Sequence, residues 1–219
     1  MMKRVFFLSM LSLAVFSGCS KDKPLKVVDD VCALMDDEAF VSYCLSSFDT
    51  DKDGILSMQE ASVVERILVE GKGITSLKGL PYFFNLKLLE CSQNNLSELD
   101  ISRNTKLISL YCSLNALKSL DLSQNTKLQN LWCADNEIAS LNVSRNTDLL
   151  SLQCRGNRIT DLDISMLAWL QRYSGGMGSL FGFQKDGATI SVTDLKANWG
   201  GNAPADEDAE SGNVRWILK

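Results

Sequence analysis

LECSQNNLSELDISRNTKLIS (residues 89–109), LYCSLNALKSLDLSQNTKLQN (110–130), LWCADNEIASLNVSRNTDLLS (131–151) and LQCRGNRITDLDIS (152–165) are successive versions of one unit. The unit reads L-x-C-x-x-N-x-L-x-x-L-D-x-S-x-N-T-x-L-x-x and repeats every 21 residues. Self-similarity at a fixed period of this size is the signature of a solenoid, in which each unit buries its apolar face only against its neighbours. Leu110 and Cys112 have the period-2 spacing that puts both on one face of a short strand, with Tyr111 on the other. Stacked units then lay their strands in a parallel sheet. One column is Cys91, Cys112, Cys133 and Cys154, and the next is Asn94, Asn115, Asn136 and Asn157. An asparagine carries a donor and an acceptor on a short arm, so it can satisfy the backbone where the chain turns away from the strand. The S-x-N-T segments are turn chemistry for the return side, and Leu107, Leu128 and Leu149 carry the chain back inward.

This is a leucine-rich repeat pattern with cysteine where most repeats carry leucine. It resembles the 21-residue cysteine-ladder repeats of internalin J-like bacterial surface lipoproteins, and an imperfect unit (Ile74, Leu77, Leu80) precedes it. The fold class read here is α/β: a short leucine-rich repeat solenoid with a parallel β-sheet and a cap at each end. Four thiols spread along a stack cannot converge on one ion, so they read as small buried core residues. Neighbouring strands are close enough for cross-strand disulfides, but parallel inward side chains would strain them. Cys32 and Cys44, outside the repeats, are left open as a pair.

Before the repeats, DTDKDGILSMQE (49–60) places Asp49, Asp51 and Asp53 at positions 1, 3 and 5 of an EF-hand loop. Gly54 is at 6, the Ile55 carbonyl at 7, Ser57 at 9 and Glu60 at 12, a hard-oxygen set suited to calcium. Leu56 should face the core. DDEAFVSYCLSSF (36–48) and EASVVERILVE (60–70) read as flanking helices. A helical segment of this kind, followed by K-G-I-x-x-L-x-G-L (72–80) and then the repeats, resembles the N-terminal cap of bacterial leucine-rich repeat surface proteins. Open solenoid ends must be covered. The expected calcium role is therefore structural.

The chain has 219 residues and no histidine, which removes histidine-dependent nucleophile pairs, zinc sites and acid-base catalysis. Its formal charge of −5 and lack of a basic cluster argue against nucleic acid. A basic start, an apolar run over 5–16 and Gly18-Cys19 resemble a bacterial lipoprotein signal. The resemblance implies cleavage before Cys19 and lipid attachment to it. The expected organisation is a signal peptide over 1–18, a tether over 19–30 and an EF-hand-like helical cap over 31–73. Repeats follow over 74–165, then a small α+β C-terminal cap over 166–219. Within that last part ATISV (188–192) and NVRWIL (213–218) read as strands and TDLKANW (193–199) as a short helix. The final repeat strand falls near either Tyr173 or Leu180. The acidic run over 205–210 reads as a solvated loop.

The outward column of the sheet is Glu90, Tyr111, Trp132 and Gln153, with Arg155 beside it. An aromatic pair and an arginine on an open face are the residue types of binding hot spots. They equally suit a mere cover on the sheet. The leading expectation is a non-enzymatic, lipid-anchored, monomeric cell-envelope protein, at the outer membrane or cell surface, that recognises a protein or a glycan. Its rival is a structural envelope scaffold. A glycan hydrolase is disfavoured, because no carboxylate pair marks a cleft.

Overall fold

The computed structural model describes residues 30–167 together with the strands at 190–194 and 214–218. The signal peptide, Cys19 and the tether lie outside the described residues, as do the register of the last repeat and the acidic run at 205–210. Two short helices, α1 (Glu38–Phe48) and α2 (Met58–Val63), precede a five-stranded parallel sheet. Its strands are β1 (Arg66–Leu68), β2 (Leu88–Glu90), β3 (Ser109–Tyr111), β4 (Asn130–Trp132) and β5 (Ser151–Gln153), in sequence order. They pair without slippage, so that Leu68, Glu90, Tyr111, Trp132 and Gln153 form one row across the sheet. This is the leucine-rich repeat solenoid read from the 21-residue period.

The core is a stack of identical layers. Leu89, Leu110, Leu131 and Leu152 point inward from the strands, and Cys91, Cys112, Cys133 and Cys154 follow them, all buried. The six described cysteines, Cys32 and Cys44 included, are free thiols. Burial pushes the Cys133 thiol up to about 12 and raises its three ladder neighbours as well. Such groups stay protonated and act as small hydrophobes.

The asparagine columns hold the turns. Asn136 donates through Nδ2 to the carbonyls of Cys112, Cys133 and Ala134 at 3.0, 3.1 and 3.2 Å, and its Oδ1 accepts from the Leu117 amide at 3.0 Å. One side chain thus serves its own coil and the preceding one. Asn94, Asn115 and Asn157 repeat the pattern. A second column, Asn104, Asn125 and Asn146, is fully buried on the return side. Each of these donates to two carbonyls of the coil before it. Turn chemistry alone is expected of the S-x-N-T segments, yet these residues also tie successive coils together.

The residue before each ladder asparagine is left-handed: Gln93, Leu114 and Asp135 have φ of 57°, 56° and 55°, and Gly156 has 66°. At Gly156 a Cβ would lie 2.2 Å from Asp135 Oδ1 and 3.1 Å from its Cα, so a side chain there would have to displace Asp135 as well as adopt the left-handed φ.

The N-terminal cap departs from expectation. The helix expected over 60–70 stops at Val63, and Arg66–Leu68 becomes the first strand of the sheet. Residues 66–70 alternate between exposed and buried, with Ile67 and Val69 inward. That is a strand's period of two, which outweighs a run equally readable as helical. Ile67 and Val69 occupy the positions that leucine and cysteine hold in later coils, so the cap ends in a degenerate repeat. Asp37 caps α1 through the Phe40 amide, and its other oxygen accepts from Thr75 N and Oγ1, fastening the helix to the start of the repeats.

At the other end, β6 (Asp161–Asp163) carries Leu162 in the column of Leu99, Leu120 and Leu141, away from the main sheet. It pairs in parallel with β7 (Ile190–Asp194), which pairs with β8 (Val214–Leu218). Both expected C-terminal strands form, and β7 extends through Thr193 and Asp194, where a helix had been expected to begin. Among the described residues no helix is long and apolar enough to cross a membrane.

The asparagine ladder sets a measurable cost. Asn136→Ala strands several buried backbone groups, each worth about 1–3 kcal/mol. Urea unfolding should therefore show a loss of roughly 3 kcal/mol or more. A loss below about 1 kcal/mol would mean that the turn holds itself together.

Candidate functional site

Two groups of residues stand out from the repeating core: the outer row of the sheet and the acidic loop of the cap.

On the sheet, Tyr111 and Trp132 are register partners on adjacent strands. Their ring centroids are 5.0 Å apart at 65°, an edge-to-face pair. Trp132 is 41% exposed and its Nε1 donates to Ser151 Oγ at 3.1 Å. Ser151 lies on β5, two residues before Gln153, the register partner of Trp132. The indole therefore leans across β5 instead of standing away from the sheet. In the row before it, Asn130 Nδ2 donates to Ser109 Oγ at 3.1 Å. Glu90 does not project freely, because its carboxylate accepts from the Ser92 amide at 2.9 Å. Arg155 reaches Asp135 at 3.6 Å.

The five expected contact residues thus lie on one continuous face. Two exposed apolar residues extend it that the sequence reading missed. Leu68, 46% exposed, begins the row on β1. Period-2 patterning in 66–70 was the signal for it. Leu114 is 50% exposed in the left-handed region, where neighbouring coils carry Gln93, Asp135 and Gly156. A leucine there violates both burial preference and backbone preference, the latter at about 1–2 kcal/mol.

In the cap, Asp49 closes α1, and the loop turns through Lys52 and Gly54, both left-handed. Asp49 Oδ2 accepts from Gly54 N at 3.0 Å, Asp51 Oδ1 from Asp53 N at 3.3 Å, and Asp53 Oδ1 from Ile55 N at 3.0 Å. These bonds fold the three carboxylates toward one another, each offering an oxygen within 4.8 Å of the others. Asp49 Oδ1 is buried without a hydrogen-bond partner. Asp51 is held above its ordinary carboxylate value, first by burial and then by Asp53, Glu60 and Asp49. Leu56 is fully buried, as expected of position 8.

Glu60 stands differently. Oε1 accepts from Thr50 N and Oγ1, both at 2.7 Å, and Oε2 accepts from Ser57 N and Oγ at 3.0 and 2.8 Å. These bonds, the Thr50 hydroxyl first, hold its pKa down at about 2. Ser57 and Glu60 form a capping box at the start of α2. The structure therefore brings Asp49, Asp51 and Asp53 together and places Ser57 and Glu60 in helix capping beside them.

No protein-family model matches the sequence, and no curated protein sequence matches it. Among solved structures the chain is similar to the functional domain of InlJ from Listeria monocytogenes, which includes a cysteine ladder. That similarity has a TM-score of 0.63 at 26% identity and covers 76% of this chain and 38% of that one. It is also similar in fold to an internalin, InlF, of Listeria monocytogenes, with a TM-score of 0.53, 16% identity and coverage of 90% and 72%. A leucine-rich repeat protein of Leptospira interrogans matches with a TM-score of 0.54, 21% identity and coverage of 74% and 41%. The chain thus spans well under half the length of the InlJ domain. The shared feature is the solenoid, and with InlJ the ladder of cysteines as well.

Proposed function

We propose that this chain is a non-enzymatic recognition module of the bacterial cell envelope. Its open sheet face meets a macromolecular partner, and lipid on Cys19 anchors it. The observation that carries the reading is one row that holds exposed Leu68 and Trp132 with half-buried Tyr111, on a sheet whose other side is packed. Apolar residues that share one open face mark an interaction surface. Likeness to the InlJ domain supports the recognition class, because solenoids of this kind offer extended surfaces for binding. In adhesion, the anchor would hold that surface outward.

Calcium is the second part of the proposal, with a structural role. Three carboxylates whose oxygens converge within 4.8 Å, one of them with a buried and unpartnered oxygen, suit a hard divalent cation. Asp49, Asp51 and Asp53 would hold it, with the Ile55 carbonyl, Ser57 and Glu60 as the further oxygens of the loop pattern. Its contribution would be to neutralise the cluster and fix the link between α1 and α2, and hence the approach to β1.

Saturating calcium, at about a hundredfold over its dissociation constant, should stabilise the native state by roughly 2.7 kcal/mol. Asp51→Asn should abolish that gain. Without calcium it should melt no lower than the parent, since it removes a charge that its neighbours disfavour. Melting curves of both proteins with calcium and with chelator check this, and indifference of the parent to calcium would contradict it. For the face, Trp132→Ala should lower stability only modestly, by about 1–2 kcal/mol for the lost Tyr111 contact and Ser151 bond, while retaining at least about tenfold less partner from host and envelope extracts. Lys106→Ala, in the turn on the return side, should behave as the parent. Equal retention by both variants would overturn the assignment of the face.

A further inference from the structure

We propose that the partner of the sheet face is an uncharged glycan, bound by stacking a sugar ring on Trp132. The inference rests on the recognition reading above and names its ligand class.

The first support is the posture of the indole. Its Nε1–Ser151 bond and its edge contact with Tyr111 hold it leaning over β5 while 41% of the residue stays exposed. Both constraints come from the chain itself, so the ring is fixed before a ligand arrives and loses little freedom on binding. An immobile, partly exposed indole offers apolar area to the C–H side of a pyranose, with weak C–H contacts to the ring.

The second support is the chemistry around the ring. Along β3 and β4 the outer strip is Tyr111, Ser113, Asn130 and Trp132, with Ser109 and Ala134 buried beside them, and none of these is charged at neutral pH. Ser151 and Gln153 continue the same surface on β5. Hydroxyls and amides, which both donate and accept, match the hydroxyl groups of a sugar. The charges nearest this strip are already engaged: Glu90 by the Ser92 amide and Arg155 by Asp135. An anionic ligand would need unpaired cations at the centre of the face, and a highly charged protein would need complementary charges there. A neutral polyhydroxylated chain needs neither.

The test is an array of immobilised neutral, sialylated and sulfated oligosaccharides, probed with the full chain. The best neutral hit is then titrated by tryptophan emission. The expected result is retention on neutral glycans, with an affinity that holds as salt rises from about 0.1 M to about 1 M. Trp132→Ala should weaken it at least about tenfold, whereas Trp132→Phe keeps most of it. Asn130→Ala should weaken it by more than the small stability loss from its bond to Ser109 explains, with the fold still intact at the assay temperature. Retention on charged glycans alone, or on none, overturns the proposal. If Trp132→Ala still loses a protein partner in that case, the recognition surface survives and only its ligand class falls. Neutral-glycan binding unchanged in Trp132→Ala overturns both readings.

Discussion

A coil that turns every few residues inside a packed stack must bury backbone carbonyls, and each has to find a donor. The asparagine amides answer that requirement. Nδ2 of Asn94, Asn115, Asn136 or Asn157 reaches carbonyls of two coils, while Oδ1 takes an amide of the coil before. Because each bond set spans neighbouring coils, it fixes their vertical register. The register then fixes what faces outward: with coils locked in step, Tyr111 must stand beside Trp132. The composition of the outer face is a consequence of the polar interior.

The cysteine column belongs to the same constraint. Next to the asparagine turn a buried thiol fills the layer as a small apolar group. Val69 does so in the first coil, where the cap merges into the solenoid. The cap itself works through polar tethers, Asp37 to Thr75 and Asn85 to the Ser62 carbonyl, while Phe40 and Phe48 each pack against Phe83. A cation at the acidic loop would brace this junction.

Most of the solenoid was legible because one unit recurs four times. A column such as Leu110, Cys112 and Asn115 has a single physical meaning when repeated. What was hidden lacked repetition or had two periods at once. Residues 60–70 carry apolar side chains that suit a helix or a strand, and only pairing with β2 selects the strand. Leu68 was lost with that misreading. Leu114 was overlooked because leucine inside a leucine-rich unit looks like core, whereas its position in the coil is the outward, left-handed one. The convergence of Asp49, Asp51 and Asp53 was legible in their spacing, but the capping box that engages Ser57 and Glu60 depends on where α2 begins.

One register of the coil places the thiols inward and the aromatic pair outward. Labelling the native protein with a small alkylating agent, with and without denaturant, and locating the modified residues by mass spectrometry tests this directly. Cys91, Cys112, Cys133 and Cys154 should remain reduced and unmodified until the protein unfolds, then react together. Rapid native labelling of Cys112 or Cys133, or recovery of either in a disulfide, would contradict the register on which the sheet face depends.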